Sequence, residues 1–416
     1  MAASAAAWAQ PASFPPDVRT RKVLDMLLAK QYDAVYAMFG ADMKRAVPLD
    51  AFKKTGTQLE QLGPPVNIGA PALKTAGNNT VVTVPVKFKS IELQFGVSWA
   101  ASGEIAGCWF TAPQQAPVSA TPRPPYSNPA AFTETVVSIG QDPWKLPGTL
   151  SLPKGKGPFP AVVLVHGSGP NDRDETVGPV KVFRDLAEGL ASKGIAVLRY
   201  DKRTRVYPQS ARELNFTMNQ ETVDDALSAA AFLRTRSEID PAHVYVLGHS
   251  QGGYMMPRIL KRDPKLAGGI VIAGNVRPIE ELIVEQATYI ASLQGSIPEA
   301  QQRELEQLKK DPAQLLRLPP SYMDDLKGYN PAAEAAKLTA PMLILQGERD
   351  YQVSMKDFNL WRNALGGRAN VQFQSYPKLN HLFLAGEGKS TPAEYSHGGN
   401  VDAAVVTDIT NWIVRK

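Results

Sequence analysis

A serine flanked by glycines, directly after a run of apolar β-formers, is the feature most able to do chemistry. Val244-Tyr245-Val246-Leu247 leads into Gly248-His249-Ser250-Gln251-Gly252-Gly253, and a helical stretch follows. Gly-x-Ser-x-Gly at a strand-to-helix turn suits a nucleophile: the turn is too sharp for side chains beside the serine, and it lifts the hydroxyl clear of the sheet. A serine hydroxyl is a weak nucleophile near neutral pH, so it needs a base and an acid that orients the base. The chain holds five histidines: His166, His243, His249, His381 and His397. At turns of this kind the acid and then the histidine follow the serine in the chain, which leaves His381 and His397. His381 comes just after the β-rich run Val371–Tyr376, whereas His397 sits in a polar stretch with no strand leading into it. His381 is therefore the candidate base. Asp350 follows the apolar run Met342–Leu345 and is the candidate acid, with Glu348 and Asp357 as substitutes.

Acyl transfer also needs two preplaced donors for the oxyanion of its tetrahedral intermediate. One is the backbone N–H of Gln251, directly after the serine. The other belongs to the glycine-rich loop Val165-His166-Gly167-Ser168-Gly169-Pro170, with the Ser168 amide preferred and Gly169 second. His166 and His249 precede or flank the serine and read as packing or loop-orienting residues.

These residues need a scaffold that brings strand ends together. β-rich runs at Ala161–Val165, Ala196–Tyr200, Val244–Leu247, Gly269–Ile272, Met342–Leu345 and Val371–Tyr376 alternate with amphipathic stretches such as Val182–Ser192 and Glu221–Thr235. Near-continuous apolar strands are those of a parallel sheet buried on both faces. The alternation predicts an α/β, doubly wound, mostly parallel sheet with its sites at the carboxyl ends of strands. Before this region, helical periodicity (Val23, Met26, Leu27; Val35, Tyr36, Phe39; Phe52, Leu59, Leu62) gives way to period-two runs. Val82, Val84, Val86 and Phe88 form one such face, Ile91, Leu93, Phe95, Val97 and Trp99 another, and Gly107–Thr111 a third strand. That order predicts a small α+β domain over residues 18–111. Six prolines between Ala112 and Ala130 read as a semi-rigid linker, 112–130, ahead of a catalytic domain at 131–416. Ala7-Trp8-Ala9 fits the small-x-small rule of a signal-peptide cleavage site, although no basic segment precedes it. Residues 1–17 are read as the remnant of an export signal or as a disordered leader, the former implying a periplasmic or secreted protein.

Composition excludes several classes. The chain has 416 residues, 44% hydrophobic and 20% charged, so it can bury a substantial core. A single cysteine, Cys108, excludes an internal disulfide and any zinc site built on several thiolates. A net charge of +5 without a long basic run reads as a mixed solvated surface, not a nucleic-acid footprint. No stretch is long and apolar enough to span a bilayer.

With serine, acid, base and oxyanion loop all assignable to strand ends, the chain from about Phe132 onward resembles the α/β-hydrolase superfamily. A closer resemblance, through His-Gly-Ser-Gly-Pro-Asn-Asp-Arg-Asp-Glu at His166–Glu175 and Leu-Arg-Tyr-Asp-Lys-Arg at Leu198–Arg203, is to bacterial serine carboxylesterases grouped with dienelactone hydrolase-like and serine aminopeptidase-like members. The resemblance implies hydrolysis of a small-molecule ester with no metal or organic cofactor, and it makes Asn171, Asp172, Arg173 and Asp174 residues that fix the oxyanion loop. The N-terminal part resembles, in pattern only, the small domain of unknown function found ahead of such esterases, related to the nuclear transport factor 2 fold. Helical periodicity across residues 275–340 (Ile283, Val284, Ala287, Ile290, then Leu305 and Leu308) predicts a cap inserted before the acid-bearing strand. Tyr289, Tyr322, Met323 and Tyr329 are its candidate substrate-lining residues. The same triad would serve a peptidase or an acyltransferase. A third alternative is a non-catalytic binding protein on a hydrolase scaffold, and the pattern leaves a homo-oligomer open.

Overall fold

The structure, a computed structural model, describes residues 14–60, 62–77, 79–89, 91–111, 121–210, 215–293, 295, 302–303, 306, 310 and 319–415. The proposed cleavage site, the first part of the proline-rich segment, and Leu305 and Leu308 of the insertion lie outside these residues. The chain forms two compact units, Met1–Pro117 and Val118–Lys416.

In the first unit, helices Pro16–Leu28, Tyr32–Ala37, Ala41–Ala46 and Leu49–Glu60 precede an antiparallel sheet. Its strands are β1 (Asn67–Ile68), β2 (Ala72–Ala76), β3 (Asn79–Lys87), β4 (Glu92–Trp99) and β5 (Ile105–Thr111). They run in the order β1-β3-β4-β5, with β2 also paired to β3. Most of the two period-two faces is buried as expected: Val82, Val84, Val86, Phe88, Phe95, Val97 and Trp99 pack with Val23, Leu24, Val35 and Phe39, whereas Ile91, expected to begin the second face, precedes β4 and is exposed. Trp99 donates its ring N–H to Thr20 at 2.8 Å and lies under the Arg19 guanidinium, pinning the first helix to the sheet.

The second unit is built on β6 (Phe132–Ile139), β7 (Leu146–Pro153), β8 (Phe159–Val165), a hairpin of β9 (Thr176–Val177) and β10 (Val180–Lys181), β11 (Ala196–Tyr200), β12 (Ile239–His249), β13 (Gly268–Ile272), β14 (Met342–Gly347) and β15 (Val371–Tyr376). Eight of these form one sheet in the order β15-β14-β13-β12-β8-β11-β7-β6. The strands from β15 through β11 pair in parallel; β7 and β6 add antiparallel pairings at one edge. Alternate side chains enter opposite cores. Val163, Val246, Val271 and Ile344 meet helices Asp224–Arg234, Met256–Arg262 and Met355–Leu365. Val162, Leu164, Leu247, Ile270 and Leu345 meet helices Val182–Ala191 and Ala403–Val414. Both faces are covered, which is why these strands read as unbroken apolar runs. Each large apolar side chain so buried contributes roughly 1.5–3 kcal/mol. Among the described residues, no helix is long and apolar enough to cross a membrane.

The proline-rich segment differs from a spacer over its second half. Arg184 donates to the Thr121 carbonyl at 2.9 Å, Tyr126 donates to the Val401 carbonyl at 2.7 Å, Ser127 donates to Glu188 at 2.6 Å, and the Asn128 N–H donates to Ser192 at 2.8 Å. Proline removes donors but leaves carbonyl acceptors, and the side chains of helix Val182–Ala191 and its end bind this strip as part of the second unit.

Candidate active site

Parallel pairing puts the carboxyl ends of β8, β12, β14 and β15 on one edge of the sheet. The Gly167–Ser168 loop, Ser250, Asp350 and His381 each follow one of those ends.

Ser250 adopts φ 50° and ψ −112°, a conformation that costs a non-glycine residue energy and persists only where the surroundings impose it. The surroundings are close backbone contacts. A Cβ on Gly252 would lie 2.2 Å from the Val165 carbonyl oxygen, and one on Gly248 would lie 2.3 Å from the Gly252 carbonyl. The Ser250 N–H donates to the Ile272 carbonyl at 2.9 Å, tying the turn to β13. Gln251 then opens helix Gln251–Tyr254, where the first N–H groups have no partner within the helix.

His381 Nδ1 lies 2.7 Å from Asp350 Oδ2, and both residues are buried. The other donors to Asp350 are the Gln346 side chain to Oδ2 at 3.0 Å and the Gln352 and Val353 N–H groups to Oδ1 at 2.8 and 3.0 Å. A carboxylate only accepts, so the proton of a neutral His381 sits on Nδ1, leaving Nε2 as the basic nitrogen. The substitute acids are engaged elsewhere: Glu348 accepts from Ser375, and Asp357 pairs with Arg277.

A second histidine joins these parts. His249 Nε2 donates to the His381 carbonyl at 3.0 Å, and the two rings pack 4.8 Å apart. Its Nδ1 lies 3.0 Å from Glu175 Oε2. Both neighbours are acceptors, which favours the protonated ring. Burial opposes that charge, but Glu175 outweighs it and raises the His249 pKa. Likewise, burial alone would push the Glu175 carboxyl up, yet the nearby His249 charge holds it below its ordinary value. Glu175 Oε1 also accepts from the Gly167 N–H at 2.6 Å, so one carboxylate links the glycine-rich loop to the serine turn.

That loop is held on its other side as well. The Gly167 carbonyl accepts from Lys202 Nζ at 2.7 Å and from Asn171 Nδ2 at 3.2 Å, and Asn171 also reaches the Ser168 carbonyl. Arg173 pairs with Asp201, and Asp174 with Lys181 and Arg199, so this motif is tied into the surrounding structure. His166 packs between Phe183 and Tyr200.

Ser250, Ser168 and Gln251 line one cavity of about 220 Å³. Met218, Ile279, Leu282, Ile283 and Val353 supply apolar walls, and Asn275, Gln286 and Gln352 supply neutral polar ones. None of the described lining residues is charged. The four residues expected from sequence do not line it. Tyr289 stacks on Tyr351 and donates to the Ser390 carbonyl; Tyr322 is buried and donates to Glu221; Met323 packs against the core; Tyr329 sits edge-on to Tyr254. For Tyr289 the difference is position along the helix. Ile279, Leu282, Ile283 and Gln286 form the i, i+3, i+4, i+7 stripe of helix Ile279–Ser292 that lines the cavity, and Tyr289, three residues past Gln286 and seven past Leu282, continues that side one turn farther on, where it stacks on Tyr351. Sequence reasoning missed Glu175, Lys202 and Glu221, although the first two lie inside the motifs quoted above.

A family model described as "Serine aminopeptidase, S33" matches residues 157–388, and one described as "Protein of unknown function (DUF3887)" matches residues 20–108. Esterase EstD of Thermotoga maritima is 43% identical over 335 residues, covering 79% of this chain and 78% of that protein. Acylamino-acid-releasing enzyme 1 of Oryza sativa subsp. japonica is 27% identical over 203 residues, 48% of this chain and 24% of that protein. Among solved structures, 2,6-dihydroxy-pseudo-oxynicotine hydrolase superposes with a TM-score of 0.44 at 16% identity, over 67% of this chain and 66% of that one. The S33 match spans more than half of the sequence and contains both the serine turn and the His381 loop, and the chain belongs to the serine aminopeptidase S33 family of α/β-hydrolases.

Proposed function

We propose that this protein is a serine esterase that hydrolyses small, uncharged carboxylic esters through an acyl-enzyme on Ser250. The observation that carries the reading is the 2.7 Å contact of His381 Nδ1 with Asp350, on a loop bonded to the residue that precedes Ser250. Ser250 Oγ attacks the ester carbonyl carbon while His381 Nε2 takes its proton. The Gln251 and Ser168 N–H groups donate to the resulting oxyanion, each such donor being worth roughly 2.7–4 kcal/mol of barrier. Collapse breaks the bond to the alkoxy group, which leaves as the alcohol with the proton from His381. Water then attacks the acyl-enzyme with His381 again as base, and the carboxylic acid departs as Ser250 regains its proton.

The walls favour ester over aminopeptide. An aminopeptidase must hold a free α-ammonium, and a buried ammonium needs an anionic partner. The described walls offer amides, a tyrosine and aliphatic groups instead. The resemblance to EstD supports the same choice.

The test is labelling with a fluorophosphonate probe alongside hydrolysis of p-nitrophenyl butyrate. We expect label on Ser250, none on a Ser250→Ala variant, and little turnover of aminoacyl p-nitroanilides. Folded protein that takes no label at Ser250 would overturn the reading.

A further inference from the structure

Lys202 and Glu221 are two charged residues with almost no exposure, and neither takes part in the proton transfers described above. Lys202 is 2% exposed, and its Nζ lies 3.0 Å from Glu221 Oε1. A buried ion pair seldom adds net stability over a well-packed apolar pair of the same volume, so its presence calls for another reason. Its remaining bonds supply one. Lys202 Nζ donates to the Gly167 carbonyl at 2.7 Å. A trans peptide points its C=O and its N–H in opposite directions, so holding the Gly167 oxygen from behind turns the Ser168 N–H the other way. The loop abuts the nucleophile there: a Cβ on Gly167 would lie 3.3 Å from Ser250 Cβ. On the other side, Glu221 Oε2 accepts from the Gln251 side chain at 3.0 Å. That side chain anchors the first turn of helix Gln251–Tyr254, whose opening N–H is the second donor. Glu221 itself sits in a π-helical turn, Asn219–Val223, an irregularity frequent at functional sites.

We propose that the buried Lys202–Glu221 pair is a positioning clamp that sets the separation and direction of the two oxyanion donors, the amides of Ser168 and Gln251. It rests on the esterase reading above. Tyr322 is its third arm: from helix Pro320–Leu326 its hydroxyl donates to Glu221 Oε2 at 2.6 Å, so the insertion reaches the oxyanion hole through this carboxylate. Burial alone would raise the Glu221 carboxyl; Lys202, with the hydrogen bonds from Tyr322 and Gln251, holds it below its ordinary value and keeps it an acceptor. The bonds of the clamp go to the segments that carry the two oxyanion donors, at Gly167 and Gln251, and Tyr322 also reaches the wall residue Met218 at 3.1 Å, so its main effect falls on stabilisation of the tetrahedral state.

The experiment compares wild type with Lys202→Met/Glu221→Met, which removes both charges together and leaves neither unpaired, and with Gln251→Leu, which cuts one tether and keeps the ion pair. Each is assayed for kcat and KM on p-nitrophenyl butyrate, for inhibition by butaneboronic acid, whose serine adduct places an oxygen in the hole, and for thermal unfolding. We expect kcat to fall about 10- to 100-fold in the double variant and about 10-fold in Gln251→Leu. KM should stay within about twofold and boronate affinity should fall in parallel with kcat, with the pH dependence of kcat/KM unchanged. Either variant folding cooperatively with kcat and boronate affinity within about threefold of wild type would overturn the clamp. So would a loss confined to KM. Should the double variant fail to fold, Gln251→Leu decides alone. Wild type that takes no fluorophosphonate label brings down the esterase reading itself, a result distinct from labelled wild type with indifferent variants.

Discussion

Replacing Asp350 by asparagine changes one atom and tests the proposed roles of acid and base together. Asp350 now accepts from four donors, two on each oxygen. An asparagine keeps one acceptor oxygen and must point its NH2 at two of them. Turned toward the Gln352 and Val353 N–H groups, the NH2 would leave two backbone donors facing a donor, at about 1–3 kcal/mol each. Turned toward His381 and Gln346, it costs less, because the imidazole can move its proton from Nδ1 to Nε2 and accept instead. That second arrangement wins, and it leaves His381 with its proton on Nε2 and no lone pair there to receive one. The corresponding change in a Ser-His-Asp hydrolase lowers kcat by about 10⁴-fold, roughly 5.5 kcal/mol of barrier. We expect that loss here with KM changed no more than a few-fold, measured on p-nitrophenyl butyrate with the purified variant. Asp357→Asn serves as the control: its carboxylate pairs with Arg277 and accepts from the Val276 and Arg277 N–H groups, so it should lose stability and keep kcat. Retention of kcat within tenfold by Asp350→Asn, or an equal loss in the control, would refute the assignment.

Glu175→Gln should destabilise by about 3 kcal/mol near pH 6, because it leaves the buried His249 charge without its partner. The raised His249 pKa contributes stability in full below about pH 6.5 and loses it as pH rises through the folded-state value. The lowered Glu175 pKa contributes above about pH 4.3 and is lost only as pH falls through its own folded-state value. Urea midpoints should therefore show the gap between wild type and variant narrowing from pH 6 to pH 9; a gap indifferent to pH would contradict the ion pair. Gly252→Ala forces a methyl to 2.2 Å from the Val165 carbonyl, so soluble protein with normal fluorophosphonate labelling would be a surprise that dismantles the turn argument. Leu282→Phe fills part of the cavity and should lower kcat/KM for p-nitrophenyl hexanoate several-fold more than for the acetate, by steady-state comparison.

Legibility in the sequence followed the physics of each element. Strands buried on both faces, such as Ala196–Tyr200 and Met342–Gly347, stand out because every position is apolar or packed. The edge strand Phe132–Ile139 does not, since Thr133, Glu134, Thr135 and Val136 face solvent and no periodicity survives. Ser250, Asp350 and His381 could be picked out because chain order and strand ends constrain them. The charges behind them could not: Lys202, Glu221 and Glu175 are residue types that normally lie on surfaces, and only the three-dimensional meeting of loops shows that they are buried. The cavity walls failed for a different reason. A helix pattern marks which residues share a side, but how far along that side the cavity runs is set by tertiary packing: it reaches Gln286, and Tyr289, one turn on, lies outside it.

The strip from Thr121 to Ala131 has a consequence for anyone who would separate the two units. A truncation placed at the end of the prolines looks natural by composition, yet it would remove the bonds this strip makes with Arg184, Glu188 and Ser192 and uncover the face that receives Tyr126. Gly189 shows how tight that face is: a Cβ there would come within 2.8 Å of the Tyr126 ring. The second compact unit runs from Val118, so a loss of activity on cutting at residue 130 would report damage to that unit and say nothing about what the N-terminal unit contributes.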